Sequence, residues 1–158
     1  MHQQNQKFVK HLLCRLSSFV DEAIGKSSTY LDYRSPRGKS FEIEHIWANH
    51  YDRYREHFDQ EKDFEQARNR LGDLILLPNG QNQSYGDLPY EEKRKHYIKE
   101  NALAQTLHPA FYQNHPNFAK SPLVNDLPFQ PYDTFGPDAV EERQRLYYEL
   151  CKRVWRTP

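Results

Sequence analysis

Four consecutive apolar residues, Leu74-Ile75-Leu76-Leu77, stand in a chain whose mean hydropathy is −1.03. Gly72 brackets the run on one side and Pro78-Asn79-Gly80 on the other, so it reads as a short buried strand. Only 37% of the 158 residues are hydrophobic, but 11 Tyr, 9 Phe and 2 Trp supply ring area that buries well per residue. The expectation is one domain over 1–158, a small folded core with long surface loops, and not a disordered chain.

Around that strand the remaining elements follow from periodicity. Phe8, Val9, Leu12, Leu13, Leu16, Phe19, Val20, Ala23 and Ile24 recur at helical spacing and predict an amphipathic helix over 7–24, stopped by Gly25. Thr29–Arg34 reads as a strand, Ser35–Gly38 as a turn, and Phe41–Trp47 as a second strand, together a hairpin. The charged stretch 52–70 predicts one or two helices with Tyr54, Phe58, Phe64, Ala67 and Leu71 inward. A polar loop then leads to a helix from about Pro89 to Gln105, with Asp87 as its cap and Glu91 and Glu92 in its first turn. Residues 107–138 have no stable period and read as a long ordered loop whose aromatics must pack somewhere. A final helix, 139–155, is expected against the first.

The formal charge is balanced, 22 basic residues against 22 acidic, so whole-chain charge offers no support for a nucleic-acid partner. A local basic patch can still carry phosphate binding, with affinity completed by a second domain or a partner. Cys14 and Cys151 form no CxxC pair, which argues against a cysteine zinc site and a secreted disulfide scaffold. No apolar run approaches the length of a membrane span and the N-terminus lacks a signal-peptide core, so a cytoplasmic protein is the default expectation. His50, His57, His96, His108 and His115 fit no standard zinc spacing; of these His50 lies closest to the segment discussed next.

The middle of the chain thus runs strand with Glu44-His45, insertion, strand, polar loop with Asn82, helix. FEIEHIWANH, RNRLGDLILL and GQNQSYGDLPYEEKRKHY, in that order, resemble the C-terminal HNH domain of GmrSD-type restriction proteins, including SspE-like defence enzymes. The matched core is roughly 41–97, and the flanking helices suit the family as well. The resemblance implies an α+β fold with a ββα-metal core over about 41–105, embedded in the helices of both ends. It also implies a metal-dependent DNA endonuclease or nickase of phage defence. His45 matches the water-activating base, Glu44 and Asn82 the metal ligands, and Asn69 the residue that orients the catalytic loop. Lys93, with Arg94 beside it, matches a phosphate contact. The implied cofactor is Mg²⁺ (or Mn²⁺) and the partners are DNA and an N-terminal ParB-like nucleotide-hydrolysing domain. Two departures stand out. Where the family often has EHILPQ this chain has Glu44-His45-Ile46-Trp47-Ala48-Asn49, and GNLTLL is replaced by Gly72-Asp73-Leu74-Ile75-Leu76-Leu77.

These residue types suit phosphodiester hydrolysis. An imidazole, with an unperturbed pKa of about 6.5, can take a proton from water near neutral pH. One carboxylate and one amide oxygen leave a hard cation most of its coordination positions, which suits Mg²⁺ better than Zn²⁺. Neighbouring strand residues point to opposite faces, so Glu44 and His45 can serve one site only if the backbone is irregular immediately after Ile43. The alternative reading is a catalytically silent HNH-like module that binds nucleic acid or a partner. The bland reading of Asn69 is a helix cap, and that of Asn82 a turn residue.

Overall fold

The computed structural model describes residues 5–34, 38 and 40–156, the side chains of Asn82 and Gln83 lying outside that description. The element order is α1 (Gln6–Ala23), α2 (Tyr30–Arg34), β1 (Phe41–His45), α3 (Glu61–Arg68), β2 (Leu74–Pro78), α4 (Gln81–Tyr85), α5 (Tyr90–Tyr97), α6 (Ala102–Gln105), α7 (Pro109–Asn114) and α8 (Pro137–Val154). Single 3-10 turns occupy Tyr51–Tyr54, Leu71–Asp73 and Phe118–Lys120. The fold is α+β, with β1 and β2 paired antiparallel from Phe41 opposite Pro78 to His45 opposite Leu74.

Two strands alone are marginal in water, so helices must cover the sheet. Leu74 and Leu76 point into a cluster with Leu13, Leu16 and Val20 of α1, Leu103 of α6, and Leu146 and Leu150 of α8. Ile75 and Leu77 point the other way, among Ile46, Trp47, Phe64 of α3, and Tyr90 and Tyr97 of α5. β2 is therefore buried on both faces, which is why its sequence is continuously apolar rather than alternating. α1 and α8 pack together on the first face, as their stripes predict.

The segment expected to form the first arm of a hairpin is instead helix α2. The alternation of Thr29–Arg34 hid a capping signal: Asp32 Oδ2 accepts from the Thr29 backbone N–H at 2.6 Å and from Thr29 Oγ1 at 2.8 Å. Both bonds run from Thr29 to the Asp32 carboxylate; they stabilise a helical start and compete with the strand. Of the predicted turn, only Gly38 lies within the described residues.

The helix expected from Pro89 to Gln105 is interrupted. Asn101 restarts it as α6 by accepting from Ala104 N at 3.1 Å, while its Nδ2 donates to Leu76 O on β2 at 2.7 Å. Asp87 does not cap α5; Pro89 stands at that position with no side-chain cap. The long segment after residue 106 contains α7, and its rings pack inward: Phe111 and Phe118 into the first cluster, Tyr132 and Phe135 into the second. No helix among the described residues is long and apolar enough to cross a membrane.

Gly72 sits in the 3-10 turn that docks on α8. A Cβ there would collide with the backbone carbonyl oxygen of Val140 and lie 2.8 Å from Gln144 N. Because both are helix backbone, neither can move aside. Gly72→Ala is expected to lower the urea unfolding free energy by at least about 2 kcal/mol. A change within about 0.5 kcal/mol, the ordinary range for a surface substitution, would show that this docking is not tight.

Candidate functional site

β1 stays regular through His45, and the Ile46 N–H still donates to Asp73 O at 2.8 Å. The bend comes at Ile46 and Trp47, later than the irregularity expected after Ile43. Glu44 and His45 consequently point to opposite faces of the strand. Glu44 turns toward α5 and is 4% exposed, whereas His45 is half-buried.

On the His45 face, Nε2 lies 3.3 Å from Asn69 Oδ1. Asn69 ends α3 and donates its Nδ2 to Glu65 O at 2.8 Å, at the helix terminus where the cap reading puts it. With its NH₂ directed at Glu65, the amide presents only an acceptor oxygen to the ring. The ring nitrogen facing it must carry the proton, and the lone pair falls on Nδ1.

On the opposite face, Lys93 Nζ donates to Glu44 Oε1 at 2.7 Å and to the backbone carbonyl of His45 at 2.8 Å. Lys93 is 0% exposed. Expected as a phosphate contact, it instead sits inside the protein against the carboxylate, because its place as the fourth residue of α5 aims it at β1. Burial pushes the Glu44 carboxyl up and the Lys93 ammonium down; their mutual attraction opposes both shifts. Arg94 bonds Tyr132 O at 2.7 Å and Asp133 at 2.8 Å, holding the long segment onto α5.

Two further residues shape the turn after His45 and were not singled out from sequence. Asp73 is fully buried and accepts from Trp47 N at 3.0 Å, while Arg68 Nε donates to Trp47 O at 3.0 Å. Trp47 is thereby gripped on both sides of its peptide unit, and its ring is buried between Tyr54, Phe58 and Phe64. Its Nε1 donates to Phe135 O at 2.6 Å. The departure from EHILPQ therefore has a built replacement. A signal existed in the charged residue directly preceding a buried strand, since an acid there needs a specific partner.

His50 turns away from this cluster, with Nε2 3.4 Å from Asp87. The backbone of Asn82 lies in α4, immediately after β2, where a polar loop was expected. Its expected role as ligand rests on a side chain outside the described residues. Beside Asn69, a cleft of about 1030 Å³ runs between α3, α1 and α8, lined by Lys62, Gln66, Gln144 and Tyr148 among others. It is mixed in charge, and Arg70 at its edge is paired with Glu141.

Among the described residues no three His, Cys, Asp or Glu side chains converge as metal ligands. The described donors are hard oxygens, the Glu44 carboxylate and the His45 carbonyl, and both already converge on a cation, the Lys93 ammonium. Such oxygens suit Mg²⁺ or Mn²⁺ and not a nitrogen- or sulfur-seeking ion.

In this α+β domain Glu44 and His45 end the first strand of a two-stranded sheet, with Asn69 against one face and Lys93 against the other. The chain belongs to the family described as GmrSD restriction endonucleases, C-terminal domain, whose sequence signature matches residues 2–150. Searches of curated proteins and of solved structures return no match.

Burial pushes the Asp73 carboxyl well above its ordinary 3.8; the Trp47 N–H, Arg68 and Lys93 oppose the shift and Glu44 adds to it. Its Oδ2 is buried with no partner among the described atoms. A carboxyl with a raised folded pKa binds more protons folded than unfolded. Its contribution is therefore present at acid pH and lost as pH rises from about 3.8 toward the folded value. Asp73→Asn keeps the acceptor for Trp47 and removes that titration. Its urea midpoint relative to wild type is expected to rise as pH increases from about 3.8 toward the folded value, the range in which wild type loses that contribution. A difference that stays flat or falls across that range would contradict the assignment.

Proposed function

We propose that this chain is a metal-dependent endonuclease domain of the HNH type, hydrolysing phosphodiester bonds of DNA, with His45 as general base. In this reading β1, β2 and the following helices form a ββα-metal core. The single observation that carries it is the His45–Asn69 contact, because it selects the imidazole tautomer that a base requires. An imidazole whose Nε2–H is held by an amide oxygen keeps a fixed ring plane and accepts a proton at Nδ1. Family membership supports the substrate class.

The steps assigned to this chain's own residues are few. His45 Nδ1 takes the proton of the attacking water as its oxygen approaches phosphorus. Asn69 holds the ring against α3 and stabilises the imidazolium by accepting its Nε2–H. Glu44, with the amide of Asn82, would hold Mg²⁺ or Mn²⁺, which when bound supplies charge neutralisation on the phosphate and on the leaving oxygen. Phage defence and restriction of DNA are the setting that the family suggests. DNA affinity is expected to be weak for this chain alone, since its charges balance. An N-terminal ParB-like domain or subunit is the proposed partner that completes it.

Plasmid nicking in Mg²⁺ or Mn²⁺ tests the reading. His45→Ala is expected to slow nicking by about 100-fold or more. Asn69→Ala is expected to slow it by roughly 10- to 100-fold, as happens when the partner of a functional imidazole is removed. An equal rate in wild type and His45→Ala would leave the silent binding module as the reading to pursue.

A further inference from the structure

The feature that the nuclease reading does not use is the ammonium of Lys93. It is the most deeply buried cation close to the site, 0% exposed, and two oxygens of adjacent residues on β1 converge on it at 2.7 and 2.8 Å. One belongs to the side chain of Glu44, the proposed metal ligand. The other is the carbonyl of His45, the proposed base. A carboxylate and a carbonyl closing on one positive charge is what a hard metal ion would recruit. Here the chain supplies the charge itself, from helix α5, which α3, β2 and α4 separate from β1 in sequence.

We infer that Lys93 is the resident cation of this site: a positioning residue that holds the Glu44 carboxylate and the His45 backbone in place before any divalent ion binds. The inference rests on the nuclease reading only for the roles of Glu44 and His45. Two consequences follow from charge. A divalent ion that uses Glu44 must share a carboxylate already neutralised by an ammonium, and it meets a like charge close by. Wild type should therefore bind the ion weakly and should not need it to hold the geometry of His45. Removing the ammonium leaves a buried carboxylate and a carbonyl without a cation, a condition that burial penalises strongly. Such a site should acquire a divalent ion in exchange.

Mn²⁺ alone, titrated into the full chain without DNA, is the probe, followed by calorimetry and by the thermal unfolding midpoint. Lys93→Met is expected to unfold at lower temperature than wild type in chelator, and to recover part of that loss as Mn²⁺ is added. Its Mn²⁺ affinity is expected to be at least about tenfold tighter than that of wild type, since a nearby unit charge at an effective dielectric of about 20 is worth more than that factor. The gain should vanish in Lys93→Met/Glu44→Gln. An affinity no tighter than wild type, or a gain that survives Glu44→Gln, overturns the proposal. Should Lys93→Met not fold, NMR of the wild-type Lys93 ammonium decides. An ammonium hydrogen-bonded to the Glu44 carboxylate and the His45 carbonyl in chelator supports Lys93 as the holder. An ammonium that is free of both in chelator refutes it. None of these readouts is DNA cleavage, so a chain that never nicks would remove the nuclease reading while leaving this result standing.

Discussion

The burial of β2 on both faces is the constraint from which the rest of the architecture follows. A strand of this kind has no solvated side, so each face must be roofed by apolar side chains from elsewhere in the chain. α1, α6 and α8 cover Leu74 and Leu76; α3, α5 and the turn after β1 cover Ile75 and Leu77. β1 pairs with one edge of β2 along its length, and on the other edge Asn101 and Tyr147 bond the carbonyls of Leu76 and Leu74. Because β1 is pinned in register to a strand that cannot slip without exposing leucine, His45 is fixed opposite Leu74, at the mouth of the sheet.

Beyond that mouth, apolar packing gives way to a buried polar set. Asp73 precedes β2 and Arg68 precedes Asn69, and both bond the peptide unit of Trp47. The 3-10 turn that carries Asp73 is in turn seated on the backbone of α8 through Gly72. Orientation of the segment after His45 thus depends on the C-terminal helix, which begins 90 residues beyond Trp47, at Pro137. Arg143 and Tyr147 of α8 extend that dependence. The Tyr147 hydroxyl donates to Leu74 O at 2.9 Å, and Arg143, fully buried, bonds the same hydroxyl. Long helices at both ends are therefore part of what holds the site, and the family match over nearly all of the chain is consistent with that.

What could be read from sequence follows from how local the deciding interactions are. α1, β2 and α8 were legible because their apolar spacing alone determines them. α2 was misread because alternation in Thr29–Arg34 was weighed above the Thr29-to-Asp32 capping pattern, which is equally local but carried by two polar atoms. The break before α6 was missed for a similar reason: Asn101 is a strong cap, yet its choice is settled by a bond to Leu76 O that only the tertiary fold provides. Of the candidate site, His45 and Asn69 are brought together, whereas Lys93 was expected at the surface. A lysine in a charged helix looks solvated in any window, and its burial is decided by a carboxylate 49 residues away.

Strand alternation sends the side chains of Glu44 and His45 to opposite faces, and β1 runs through Ile43 without an irregularity. The two side chains do point apart, but the carbonyl of His45 faces the same side as the Glu44 carboxylate, and Lys93 binds both. Any shift of Glu44 is thus transmitted to the peptide that follows the imidazole. Asn69 holds that imidazole from the other face. The pair is coupled through the main chain rather than through space, so changes on the carboxylate face should be felt at the ring without any direct contact between them.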